Sequence, residues 1–110
     1  MKDLDLSVDM EREAKYKEIV RSIVLQILKP YSCKVYLFGS RVEGKIRRSS
    51  DFDIAIDGVP KEDFWKVKQA IREAVEESIV PHEIDVVDLQ EVDARFREAF
   101  EAQKEVWKDD

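Results

Sequence analysis

The sequence predicts an α/β (α+β) domain: a small sheet of three strands or slightly more, flanked by helices in the order α-β-α-β-α-β-α. Three observations carry that expectation. Apolar residues recur at spacings of three and four over several long segments. Short β-prone apolar runs lie between them, at residues 35–38, 52–56 and 83–89. Glycine and proline number three each in 110 residues, and most of them fall where one pattern gives way to the next.

The first helix spans about residues 8–29. Tyr16, Ile19, Val20, Ile23, Ile27 and Leu28 share one stripe, Ser7 or Asp9 is placed to cap its start, and Pro30 stops it. Residues 35–38 then form a buried strand ending at Gly39. The stretch 39–50 is polar, basic and punctuated by glycine, a loop or a short helical turn. Over residues 52–56 the alternation puts Phe52, Ile54 and Ile56 on one face of a strand, with Asp51, Asp53 and Asp57 on the other. Pro60 suits the first turn of a second helix, and Glu62 and Asp63 complement its dipole. Phe64, Val67, Ile71, Ala74, Val75 and Ser78 make its inner face, and Pro81 breaks it. A third strand follows at 83–89. Val92, Phe96, Phe100, Gln103 and Trp107 mark a last helix running to the C-terminus.

The helix between the second and third strands makes a right-handed parallel crossover the expected connection. Periodicity leaves the relative direction of the first two strands open. With no internal repeat and no linker, residues 1–110 read as one domain, with the chemistry concentrated at 35–89.

Composition narrows the function. Hydrophobic residues make up 44% and charged residues 40%, the mix of a folded domain with a heavily charged surface. No apolar run approaches the roughly 18 residues that cross a bilayer, and residues 1–10 lack the basic-then-apolar order of a secretory leader. Cys33 is the only cysteine, which excludes an intrachain disulfide and any zinc cage built on several thiolates. A cytoplasmic location without membrane attachment is the expectation. The net charge is −6, yet Arg41, Lys45, Arg47 and Arg48 face only Glu43 within residues 41–48, so that stretch carries +3 and the remainder −9. A single basic loop on an acidic body suits a small anionic ligand better than a long nucleic acid.

That loop joins the informative residues. Gly39 allows close approach of a backbone to a ligand. Ser40 adds a hydroxyl and an amide, and a short helix starting there would aim further N–H groups at an anion. Asp51 and Asp53, one residue apart on a strand, leave the same face and repel each other unless a cation lies between them. Hard oxygen ligands of this kind suit Mg²⁺. Asp85, between Ile84 and Val86, would complete a carboxylate triad if its strand lay alongside. A triad can hold two ions, the arrangement that stabilises attacking and leaving oxygens at phosphorus.

Gly39-Ser40, ten intervening residues, Asp51-x-Asp53 and a later-strand Asp85 resemble the DNA polymerase β-like nucleotidyltransferase superfamily. At average residue frequencies the four fixed positions recur roughly once in 10⁵ windows, so the motif is specific. The short chain, with Gly44 four residues after Ser40, looks most like the minimal nucleotidyltransferases, a group that includes antitoxins encoded beside HEPN-type toxins. The resemblance implies a nucleotidyltransferase fold with a mixed sheet, strands one and two antiparallel and strand three parallel to strand two. It implies that Gly39 and Ser40 hold the triphosphate. Position next to Ser40 makes Arg41 the best candidate for a phosphate contact, with ordinary solvated loop charge the other reading for Arg41, Lys45, Arg47 and Arg48. Asp51 and Asp53 would bind Mg²⁺, and Asp85 would bind a second ion or act as the base. ATP or another nucleoside triphosphate would be the substrate.

Other readings apply to the same residues. Asp-x-Asp before a strand is often an exposed turn, and Asp85 a partly exposed strand residue. Asp88 is a rival third carboxylate but faces opposite to Asp85 on a regular strand, and Asp57 fits a strand-end cap. His82 reads as a surface or strand-start residue and Cys33 as a small buried one; Trp65 and Trp107 suit helix packing, with apolar surface offered to a partner as the alternative. Three functions compete. An enzyme would place AMP on a protein such as a HEPN-type toxin, as part of a homo- or hetero-oligomer. A binding module would neutralise that partner by contact, acidic surface against basic. A drug-modifying transferase of the aminoglycoside type ranks lowest, because it needs an added domain to shape its acceptor site.

Overall fold

A computed structural model describes residues 9–39, 41–42 and 51–109. Helix α1 (Met10–Ile27) begins where Asp9 turns its carboxylate back to accept from the N–H groups of Glu11 and Arg12, both at 3.1 Å. Of the two expected caps it is Asp9 that serves, a contact worth about 1 kcal/mol. Strand β1 (Lys34–Phe38) and strand β2 (Phe52–Asp57) pair antiparallel, with Leu37 opposite Ile54 and Phe38 opposite Asp53. Helix α2 (Lys61–Glu76) carries the chain to strand β3 (Ile84–Asp88), which pairs parallel with β2 and sets Asp53 beside Asp85. Helix α3 (Ala94–Ala102) and strand β4 (Lys104–Asp109) follow, giving a mixed sheet in the order β3-β2-β1-β4.

The last element departs from expectation. Trp107 continues the helical spacing of Phe96 and Phe100, yet α3 stops at Ala102 and the chain extends along β1. Backbone hydrogen bonding decides this. Without β4, one whole side of β1 would present unpaired N–H and C=O groups next to the core. Trp107 also gains more as a strand residue, since it is only 5% exposed within the main core. Its indole N–H donates to Glu105, and Glu105 accepts from Lys17 on α1, each at 2.8 Å. The expected short helical turn within 40–50 lies outside the described residues, apart from Arg41 and Val42.

The two faces of the sheet are covered unequally. Helices α1 and α2 cover one face, where Val20, Val24, Leu28, Ile71 and Val75 meet Val35, Leu37, Phe52, Ile54, Ile56 and Val86. Val24 joins this stripe although the spacing argument had not singled it out. Phe52, Ile54 and Ile56 face this core as alternation required, so Asp53 and Ala55 must face away. On that second face α3 lays Phe100, with Phe96, over Ala55, Leu89, Tyr36 and Phe38. Ring pairs Tyr36–Phe100, Phe38–Phe96 and Phe38–Phe100 meet edge-on at 5.2, 5.6 and 5.7 Å. The second cluster is small and reaches the carboxylate end of the sheet only through Phe38, opposite Asp53.

Cys33 is buried as expected, but Trp65 is not a packing residue: on the outer side of α2 it is 70% exposed. Among the described residues no helix is long and apolar enough to cross a membrane. Trp107→Ala is expected to cost about 3–5 kcal/mol in urea unfolding, whereas Val106→Ala, at a half-exposed position next to it in β4, should change stability by about 0.5 kcal/mol or less. A helical C-terminus without β4 would not separate the two in this way.

Candidate active site

The acidic row is a product of register. Asp53 stands directly beside Asp85 across the parallel pair, and beside Phe38 across the antiparallel one. Asp51 sits just before the first residue of β2. Asp88 accepts from the N–H of Gln90 at 3.0 Å and lies an odd number of positions from Asp85, so it belongs to the opposite face and is no third ligand. Asp57, at the far end of β2, pairs opposite Lys34, away from this row.

Gly39 closes the other side of the row. It adopts φ +86°, a conformation that side chains disfavour, and a Cβ built on it would fall onto the Asp53 carboxylate, 3.1 Å from Cγ. The space a side chain would fill is thus occupied by Asp53 itself. Burial first, then the negative charges of Asp85 and Asp51, push Asp53 above the usual carboxylate range, against an opposing pull from Arg41. All three acidic residues and the glycine turn therefore share one electrostatic neighbourhood. Among the described residues no three His, Cys, Asp or Glu side chains are already gathered into a metal cage. The donor set nevertheless fits a hard divalent cation: oxygen-only ligands, one of them held in a charge-raised state that a cation would relieve. Ser40, Lys45, Arg47 and Arg48 lie outside the described residues.

Arg41 was expected at the phosphates, but the structure turns it inward. Its side chain is 3% exposed; Nη1 lies 2.9 Å from Glu13 Oε1, Nε donates to the Asp51 carbonyl at 3.2 Å, and the guanidinium sits 3.8 Å from the centre of the Phe52 ring. Glu13 in turn places Oε2 at 3.1 Å from Nε2 of His82, which is also buried and meets Tyr16 and Phe52 edge-on. No N–H is aligned on Glu13 Oε1 for a hydrogen bond among the described residues, so its attraction to Arg41 is ionic. The chain Arg41–Glu13–His82 joins α1, the turn after β1 and the approach to β3. In doing so it anchors the backbone at Asp51.

A family model described as "Polymerase beta, Nucleotidyltransferase" matches residues 26–110. The chain belongs to the polymerase β nucleotidyltransferase family. A relative described as a probable protein adenylyltransferase MntA, from Haemophilus influenzae, is 38% identical over 80 residues, covering 73% of this chain and 68% of that protein. A solved toxin–antitoxin structure with AMP-PNP aligns with a TM-score of 0.63 at 22% identity, over 82% of this chain and 73% of that one. A second, the tri-AMPylated Shewanella oneidensis HEPN toxin in complex with MNT antitoxin, aligns at 0.60 and 18%, over 84% and 72%. These two structures speak for the nucleotidyltransferase fold, and the family match adds the enzyme class.

Glu13 and His82 are the residues that sequence reasoning missed as part of the site's support. Glu13 had a signal: it lies three residues before Tyr16 and seven before Val20, on the buried stripe of α1, where an unpaired acid would not be tolerated. His82 had none, because its partner is 69 residues away. Removing one member of a buried ion pair leaves the other uncompensated, so Glu13→Ala is expected to cost about 3–5 kcal/mol in chemical denaturation. The double variant Glu13→Leu with Arg41→Met should recover much of that loss; equal losses for both would oppose a buried pair.

For Asp53 the sign follows from its raised value. The folded state holds this proton more tightly than the unfolded chain, so its contribution to stability is full below the ordinary carboxylate range and is lost as pH rises through the folded value. Asp53→Asn is expected to raise the melting temperature at neutral pH in EDTA and to flatten that part of the pH–stability curve. A lowered melting temperature would show that the carboxylate is stabilised, not strained, by its surroundings.

Proposed function

We propose that this chain moves AMP from ATP onto a hydroxyl group of a HEPN-type protein partner. The observation that carries the reading is the position of Asp53, in register with Asp85, next to Asp51, and packed against the Gly39 turn. Support for the protein acceptor comes from the likeness to the MntA relative.

In this reading the acceptor oxygen attacks the α-phosphorus, the bond to the β-phosphate oxygen breaks, and pyrophosphate leaves. Asp51 and Asp53 would hold a Mg²⁺ ion, and Asp85 could serve a second; such ions would supply positive charge against the phosphate oxygens. Asp85, exposed at the edge of the row, takes the proton from the acceptor hydroxyl. Gly39 and Ser40 would hold the phosphates, as the motif implies. Arg41 contributes from below, as a buried positive charge that moderates the acidic row. A protein acceptor agrees with a net charge of −6, which disfavours long nucleic acid. We place the protein in the cytoplasm, working as a hetero-oligomer with its partner, because its single cysteine is buried and needs no oxidising compartment.

Trp65 favours a second reading, in which the chain neutralises its partner by contact alone, since a largely exposed tryptophan is the kind of residue that anchors interfaces. One experiment separates the two. The protein is incubated with ATP, Mg²⁺ and a HEPN-type protein, and the partner's mass is followed. The transferase reading expects added AMP groups, with labelling reduced at least about 100-fold by Asp51→Asn or Asp53→Asn, and neutralisation lost in parallel. Neutralisation that survives both substitutions belongs to contact.

A further inference from the structure

The carboxylate-bearing face of the sheet is only partly roofed. Between α3 and the end of β1 lies a cavity of about 160 Å³, lined by Phe38, Gly39, Phe96, Ala99, Phe100 and Gln103. Its walls are aromatic, with Phe38 meeting Phe96 and Phe100 edge-on.

Two contacts tie this cavity to the acidic row. Phe38 is the direct antiparallel neighbour of Asp53, and opposed residues on one face bring their Cβ atoms to about 4.5–5.5 Å. Gly39 belongs to both places, lying against the Asp53 carboxylate while lining the cavity. Two other cavities among the described residues lack that link. One is formed by Arg72, Val80, His82 and neighbours at the start of β3, and another by Met10, Glu13, Lys17 and neighbours beside α1.

We propose that the cavity beside Gly39 is the nucleobase slot of the nucleotide site, taking the purine ring of the triphosphate whose phosphates lie along Asp51, Asp53 and Asp85. The proposal rests on the transferase reading and adds where the rest of the substrate goes. A purine has two apolar faces and a polar rim, so it seeks aromatic walls with a hydrogen-bonding group at the edge. Gln103, exposed at the end of α3, supplies that edge. Its amide carries a donor and an acceptor side by side, the complement of adenine N1 and N6–H. The base hangs from the α-phosphate through the ribose alone, so a slot one strand away from the carboxylates is within its reach.

The test uses two ligands that differ only by the nucleoside: ATP and inorganic tripolyphosphate, each with Mg²⁺, titrated against the whole chain and two variants. Ala99 and Gln103 are both exposed, so Ala99→Trp fills the slot and Gln103→Ala removes the polar edge without entering the core. The wild type is expected to bind ATP at least about tenfold tighter than tripolyphosphate. Ala99→Trp should weaken ATP about tenfold or more, and Gln103→Ala about threefold, each leaving tripolyphosphate within about twofold of wild type. Unchanged ATP affinity in Ala99→Trp overturns the slot, as does an equal loss for both ligands. Retained ATP affinity with lost transfer to a protein acceptor would assign the cavity to the acceptor side chain instead, again overturning it. A wild type that binds neither ligand would remove the transferase reading itself.

Discussion

Three like charges have been brought to one end of a sheet, and the surrounding structure is arranged around the cost of keeping them there. The opposite faces of β2 and β3 supply the holding force: Phe52, Ile54, Ile56, Ile84 and Val86 are sunk in the main core, and the pleat then leaves Asp53 and Asp85 no choice of side. Gly39 gives the central carboxylate room by having no side chain of its own. Arg41 sets a positive charge beneath the row, and its own burial is made tolerable by Glu13, the Phe52 ring and the Asp51 carbonyl.

Much of the architecture was legible because it is local. The stripe of α1, the stop at Pro30, the alternation over β2 and the dipole-friendly start of α2 each depend on neighbours within a turn or two. The Gly-Ser and Asp-x-Asp motif was legible for another reason, that its spacing is improbable without shared chemistry. Lys104–Asp109 was misjudged as helix because its partner strand lies some seventy residues earlier, and spacing of three and four among Phe96, Phe100 and Trp107 satisfied a helical template by coincidence. The buried pairing of Arg41 was hidden for the same reason: its partner Glu13 lies on a distant helix, which a reading of neighbouring residues does not reveal. Trp65 shows the converse, an apolar residue that periodicity could not place on either side of α2.

The division of labour between the two faces also accounts for how so small a domain can host a site. One face, filled by α1 and α2, supplies most of the buried apolar area. The other is free to be irregular, with α3 covering Tyr36, Phe38, Ala55 and Leu89 through its aromatic residues while Asp51 and Asp85 stay exposed. Stability and chemistry are thus assigned to opposite sides of the same four strands, and each can vary with limited penalty to the other.

The parallel pairing of β2 with β3 has a consequence for chain length. Neither strand is joined to the other by a hairpin, so their alignment is set remotely, by how α2 docks and how residues 77–83 return from it. Deleting a single residue there would slide β3 by one position, swing Asp85 among the helices and bring Ile84 and Val86 out to water. The count of that connection is therefore fixed as firmly as its two inward residues, Val80 in the main core and His82 against Glu13, because together they set which face of the sheet the acids occupy.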